Sequence, residues 1–342
     1  MRLPATIGII ASCVLSLRFQ EGEIRWNAVP GAERYQIQES FNELASSRNY
    51  FTLGQSFKVD HRVTAPTQAS YQVTAEVSTL AAAVPVSNAA CTARITVDLA
   101  PDAALQKITR RIVFPLVGST AGAFGGRFRT SLKLTGSNPN QKGTIVFHPA
   151  SRAAADGDPS IAYDLVTPGD TKFFDDVVAE MGQSGIGSLD IIPDAAGDPI
   201  VPLAEARLYN DTSSGTFGTQ AAPAFPADYL RSPGLKLTAP DPRFRMNVGF
   251  RALTDTTITI LISGTDGRLR DFRELKFPAG WMQMTGVAEL AGSELKPGES
   301  MTLGFSGVAI PFYTLTENRT NDPMLFVAEP VAKSLNVGKY VD

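Results

Sequence analysis

Histidine, cysteine and tryptophan are scarce in this 342-residue chain, with two of each. Any Ser-His-acid or metal-histidine scheme must therefore run through His61 or His148. His148 follows a strand-like run and precedes Pro149, which reads as a histidine satisfied at a strand end. Cys13 and Cys91 are too far apart, with too little histidine nearby, to make a zinc site together. No Lys/Arg run exceeds two residues and the formal net charge is −3, so the basic face of a nucleic-acid binder is missing. The apolar stretch from Leu3 to Leu17 is too short for an ordinary membrane span. Enzyme signatures are missing too. Gly182-Gln183-Ser184-Gly185-Ile186 brings its second glycine one position early for a nucleophile elbow. The stretch from Gly118 to Gly126 lacks the Lys-Ser/Thr and the spacing of a phosphate loop. The sequence predicts no enzyme, no cofactor and no resident metal.

What is present points to β-structure. Hydrophobic residues make up 43% of the chain and charged ones 19%, which supplies real cores and argues against disorder. The 29 Gly and 23 Pro fall mostly between short β-rich runs, as in all-β proteins. Glu23–Trp26, Arg34–Gln38, Ser70–Val77 and Ala93–Val97 all alternate polar with apolar residues. The length suits two or three domains. We expect an all-β chain of tandem antiparallel β-sandwiches: a first domain over residues 1–99, a linker over 100–107, and two related units over 108–230 and 231–342.

The related units rest on an internal repeat. Arg127-Phe128-Arg129 reappears as Arg243-Phe244-Arg245, an offset of 243 − 127 = 116. Gly143–Phe147 answers Thr257–Ile262, and Leu165–Gly169 with Phe173 and Val177 answers Phe277–Gly280 with Met284 and Val287. Leu208–Thr212 answers Leu315–Thr320, which pairs Asn210 with Asn318 at an offset of 108. Thr257–Ser263, a Gly264-Thr265-Asp266-Gly267 turn and Arg268–Phe277 form the clearest hairpin. Period two places Arg127/Arg129, and again Arg243/Arg245, on one face, read as a solvated outer surface over a Phe-anchored core. Asn210 and Asn318 both open N-x-S/T sequons: glycan acceptors on one reading, strand-end turn formers on the other. Asp170, Asp175, Asp176 and the run Asp194–Asp198 read as turn carboxylates, since no D-x-D-x-D-G calcium loop is present.

Three resemblances add to this. Trp26, the Ala28-Val29-Pro30-Gly31-Ala32 turn, Tyr35 and Tyr71-Gln72-Val73 resemble a bacterial fibronectin type III domain over roughly the first 95 residues. That resemblance implies a spacer or adhesive module without catalysis. Ala123–Leu134, Tyr209–Thr212 with Gly215–Gly218, and Glu317–Pro323 resemble a two-copy β module at the C-terminal end of many uncharacterised bacterial secreted proteins. It implies export and a role at the cell surface, with no assigned activity. Ile10-Ala11-Ser12-Cys13 resembles the lipobox of bacterial lipoproteins, in which the cysteine is lipidated. Cys13 thus has three readings: lipidation, a disulfide with Cys91, or a buried thiol, the first two implying export. The expected role is a non-catalytic extracellular or cell-surface structural protein, in one version a self-assembling filament or surface-layer subunit. Its partners would be further copies through sandwich edges and loops, with a membrane met only through a lipid anchor. The alternative is a carbohydrate-binding or adhesion module, with Trp281, Phe173, Phe174 and Tyr229 as candidate stacking aromatics for surface glycans.

Overall fold

Alternating apolar residues bury one face of a strand and leave the other to solvent or to a second layer, and this chain uses both outcomes. The structure is a computed structural model. It describes residues 15–20, 23–41, 47–59, 67–77, 91–100, 102–122, 125–194, 201–213, 215–230, 232–330 and 339–340. The fold is all-β, made of antiparallel sheets packed as tandem β-sandwiches. The chain separates into two compact units, residues 1–107 with 332–342, and residues 108–331.

The first unit holds β1 (Leu17–Gln20), β2 (Glu23–Trp26), β3 (Ala32–Phe41), β4 (Ser47–Thr52), β5 (Ser56–Lys58), β6 (Thr67–Val77) and β7 (Cys91–Leu99). A three-stranded sheet, β1-β2-β5, and a sheet ordered β4-β3-β6-β7 enclose Ile24, Trp26, Tyr35, Ile37, Tyr71 and Val73. The Val29–Ala32 turn closes because Ala32 N–H donates to the Val29 carbonyl while Gly31 takes φ 80°. The Tyr35 hydroxyl accepts from Val29 N–H at 2.9 Å, and the Trp26 and Tyr35 rings pack 5.4 Å apart.

The second unit carries two sets of strands. The first set is β8 (Ile112–Ala121), β9 (Arg127–Thr135), β10 (Gln141–Pro149), β11 (Ser160–Leu165), β12 (Thr171–Phe174), β13 (Gly185–Pro193), β14 (Leu203–Thr212) and β15 (Gly215–Ala221). The second is β16 (Leu235–Thr238), β17 (Phe244–Ala252), β18 (Thr256–Ser263), β19 (Leu269–Phe277), β20 (Met282–Gly286), β21 (Ser300–Phe305), β22 (Ala309–Glu317) and β23 (Pro323–Val327). The strand orders match, except that β8 also pairs with β9 and joins the first set into one eight-stranded sheet while the second set forms two four-stranded sheets. β11-β10-β13-β8 in the first set answers β19-β18-β21-β16, and β12-β9-β14-β15 answers β20-β17-β22-β23. Each set has a short helix after its fifth strand, α2 (Val177–Glu180) or α3 (Val287–Ala291). The two cores are separate, one around Phe114, Phe147, Leu189 and Leu132, the other around Val248, Phe250, Ile260 and Leu303. The β18–β19 hairpin forms as expected, with Gly267 at φ 78° in its turn.

Two boundaries differ from the sequence expectation. The segment assigned as a linker turns into a helix, α1 (Ala103–Thr109), because Asp102 accepts Leu105 N–H at 3.0 Å and Leu105 is buried. The chain's last strand, β24 (Lys339–Tyr340), pairs in parallel with β4, so residues 332–342 group with the first unit and not with the second strand set.

Candidate functional site

A buried group of charged side chains lies where the two strand sets of the second unit meet. On β10 and β13, Phe147, Leu189 and Ile191 point into the first core, so period two turns His148 and Asp190 to the opposite face. On β17, Val248 and Phe250 fill the second core, and Gly249 and Arg251 face away from it. These two outward faces meet. The Asp190 Oδ2 atom accepts from Arg111 Nη1 at 2.7 Å, lies 3.2 Å from His148 Nε2 and 3.6 Å from Arg251 Nη2. His148 Nδ1 sits 2.5 Å from Asp158 Oδ2, and Arg152 pairs with the other oxygen of Asp158. Arg251 also donates to the Gly280 carbonyl.

Burial is what gives this group its energy. Asp190 has no exposed surface and Arg251 is 2% exposed, so water screens neither. Burial alone would raise the Asp190 carboxyl, but Arg251, His148 and Arg111 hold it well below the usual carboxylate range. Asp158 is likewise lowered: burial works against it and is outweighed by His148, the Ala155 N–H and Arg152. An apolar patch adjoins the charges, built from Leu116 and Leu208 of the first set and Met282 and Phe312 of the second. Backbone bonds cross there as well, from Ser151 N–H to the Met282 carbonyl, from Met282 N–H to Arg152 and from Ala154 N–H to Gly280. Ser188, opposite His148 on that face, is wholly buried. The Asp190–Arg251 contact ties a sheet of the first set to a sheet of the second. His148, Arg152 and Asp158 are near neighbours in the sequence, whereas Arg111, Asp190 and Arg251 come from distant parts of the chain.

The residues singled out from the sequence are placed as follows. Cys91 is half of a disulfide, while Cys13 and His61 lie outside the described residues. Asn210 is wholly buried against Gly126, whose Cβ position its amide would occupy, and its Nδ2 points to the Thr320 carbonyl at 3.5 Å. A glycan has no room there, which removes Asn210 as an acceptor in the folded chain. Asn318 is half-buried and donates through Nδ2 to the Pro242 carbonyl at 3.1 Å, a bond that ties the residue after β22 to the segment before β17 and closes no local turn. The two sequons are also not structural equivalents. Asn210 lies opposite Phe128 but Glu317, not Asn318, lies opposite Phe244. Glu317 holds the following turn by accepting from Arg319 N–H, Thr320 N–H and the Thr320 hydroxyl.

Phe128 and Phe244 are half-buried rather than deep anchors. Arg129 lies 3.7 Å from Asp175 and 3.6 Å from Asp211, and Arg245 donates to Asn321 at 2.7 Å. Asp170 closes its turn by accepting from Thr167 N–H and hydroxyl, and Asp176 accepts from the Ser119 hydroxyl. Among the described residues no three His, Cys, Asp or Glu side chains cluster as metal ligands would. Of the stacking aromatics, Phe174 and Tyr229 are core, Trp281 is half-buried and bonded to Gln283, and Phe173 is 63% exposed. A depression of about 220 Å³ lies beside Phe225, Asp228, Tyr229, Val327 and Glu329, and the Tyr229 hydroxyl in it donates to Ala328.

No family model matches the chain, and no curated protein does. Among solved structures, a Streptomyces avermitilis α-L-rhamnosidase complexed with L-rhamnose aligns over 90% of this chain at 10% identity and a TM-score of 0.16. The chain spans 39% of that protein's length. At that score the alignment bears on neither fold nor activity.

Proposed function

We propose that the chain is a non-catalytic structural protein of the cell surface or extracellular space, a fibronectin-III-like domain followed by a welded pair of β-sandwiches. The observation that carries this reading is the use made of His148, the one histidine among the described residues. It is buried between two carboxylates of its own strand set, one of which, Asp190, also meets Arg251 across the seam. The disulfide at Cys91 supports an oxidising compartment, and the Trp26–Tyr35 core beneath the Val29–Ala32 turn supports the fibronectin-like assignment. Rigid tandem sandwiches with exposed edges and faces suit a spacer or an assembling subunit. Negative-stain microscopy of cell-surface material and of the purified protein tests the proposal. Ordered fibres or a lattice are expected, and strictly single particles in both would defeat the assembly version. The exposed ring of Phe173 favours a second reading, carbohydrate binding, which a glycan array without hits would retire.

A further inference from the structure

The sequence holds four Asp-Pro bonds, Asp158–Pro159, Asp198–Pro199, Asp241–Pro242 and Asp322–Pro323, and the fold treats their carboxyl groups differently. Such a bond carries its own reagent, because the aspartate side chain reaches its own carbonyl carbon in a five-membered ring. Proline has no N–H, so its nitrogen cannot close on the side chain in competition. Scission needs the carboxyl protonated and free to turn, since its proton goes to the departing nitrogen. Asp158 meets neither condition. Its carboxylate is buried and held by His148, Arg152 and the Ala155 N–H. The Asp241 carboxylate accepts from Arg243 through the backbone N–H at 2.9 Å, Nε at 3.0 Å and Nη2 at 3.2 Å. Asp198 lies outside the described residues.

Asp322 is placed the other way. It stands half-buried directly before β23, and among the described residues no donor or cation meets its carboxyl. Glu317 is the charged group acting on it there, and burial together with that carboxylate raises Asp322 above the usual aspartate range. Asp158 and Asp241 are both lowered. The turn is fixed by Asn321 at φ 57° and by two backbone bonds, Asn321 N–H to the Glu317 carbonyl at 3.0 Å and Glu317 N–H to the Asp322 carbonyl at 3.1 Å. The second bond polarises the carbonyl carbon that would be attacked. We propose that Asp322–Pro323 is a self-cleaving bond, at which the folded chain divides between β22 and β23 in mildly acidic surroundings. A carboxyl oxygen of Asp322 bonds to the Asp322 carbonyl carbon, the C–N bond to Pro323 breaks, and the carboxyl proton passes to the proline nitrogen. Water then opens the cyclic anhydride, giving one chain that ends in Asp322 and one that begins with Pro323. After the cut β23 keeps its place through its ladder to β22, from Phe312–Val327 to Thr316–Pro323, and no longer through the turn. The step happens once per chain, and it goes beyond the structural role proposed above without depending on it.

The test incubates the full chain at about pH 4.5, just above the ordinary aspartate value of about 3.9, and follows fragments by intact mass. Circular dichroism checks that the chain stays folded. Fragments ending at Asp322 are expected at least about tenfold faster than those from Asp158–Pro159 or Asp241–Pro242, the ratio in protonated fraction that a tenfold difference in acidity sets. In guanidinium at the same pH the three bonds should break at similar rates, because the fold no longer sorts them. Asp322→Asn should abolish its own cut and leave the others unchanged. Arg243→Ala changes a side chain that is 75% exposed and frees the Asp241 carboxyl, so it should speed the cut at Asp241–Pro242. Four results would each overturn the proposal: no cut at Asp322–Pro323 in the folded chain, a cut there no faster than at Asp241–Pro242, the same preference in guanidinium, or an Arg243→Ala chain cut at Asp241 no faster than the wild type.

Discussion

The two strand sets of the second unit share one topology and differ in what covers them. The sheet β20-β17-β22-β23 is buried on both faces, and Val248 to Ala252 are all buried in an unbroken run. Its counterpart β12-β9-β14-β15 is buried on one face, and β9 alternates between buried and accessible positions from Thr130 to Lys133. Few residues make the difference. Gly249 lets the Phe312 ring lie against the backbone, whereas Lys133 and Glu205 hold the same two places on the open face. A duplicated scaffold therefore becomes a two-layer or a four-layer structure according to a handful of side chains on one face.

The largest expected break in this comparison comes from Asp190. Asp190→Ala leaves Arg251 buried without its carboxylate and should cost about 3–5 kcal/mol in chemical denaturation. The matching position in the second set by strand register is Thr302, half-buried on its sheet, and Thr302→Ala should stay within about 0.5 kcal/mol. Equal effects at both positions would mean that the seam is not where the charge matters.

Acid should open the same seam. Asp190 and Asp158 are both held below their unfolded value of about 3.9. Their contribution is then full above that pH and is lost as the pH falls through it toward the folded values. Unfolding followed from pH 6 to pH 2 should show a loss on the order of 2–3 kcal/mol that Asp190→Asn largely abolishes. An unchanged acid profile in that variant would assign the acid sensitivity elsewhere.

Next in size is Gly249→Ala. A Cβ there would stand 2.3 Å from Phe312 Cζ and 2.4 Å from the Gln283 carbonyl, so the ring must move and the seam be overpacked. The expected cost is about 1–3 kcal/mol by thermal or urea unfolding. A silent substitution would show that the ring can shift freely, against the close packing of this layer.

Period two in the sequence tells which face a residue occupies and says nothing of what lies across from that face. That is why the strands, the β18–β19 hairpin and the repeated order were legible, and the seam was not. Arg251 in Val248-Gly249-Phe250-Arg251-Ala252 alternates correctly away from its own core, and alternation alone reads it as solvated. His148, Asp158 and Asp190 meet inside the first set through the β10–β13 pairing and the loop before β11, and Arg251 joins them only through packing between sets, which no local motif encodes. Pairing Asn210 with Asn318 failed for a related reason, since the shared N-x-S/T pattern outweighed a register that matches Asn210 with Glu317. The linker became α1 because Asp102 and a buried Leu105 act as a cap and an anchor that composition alone hides.

The smallest effect sharpens the comparison from its open side. Lys133 and Glu205 lie 3.6 Å apart on β9 and β14, with side chains 46% and 63% exposed. Solvent screens such a pair, and holding two long side chains in register offsets much of its attraction. Lys133→Ala should therefore move stability by less than about 0.5 kcal/mol in urea titration of dilute, unassociated protein. A loss above about 1 kcal/mol would mean that this face is covered within the single folded chain. The contrast with Gly249 would then vanish, and with it the reason for treating one strand set as open and the other as sealed.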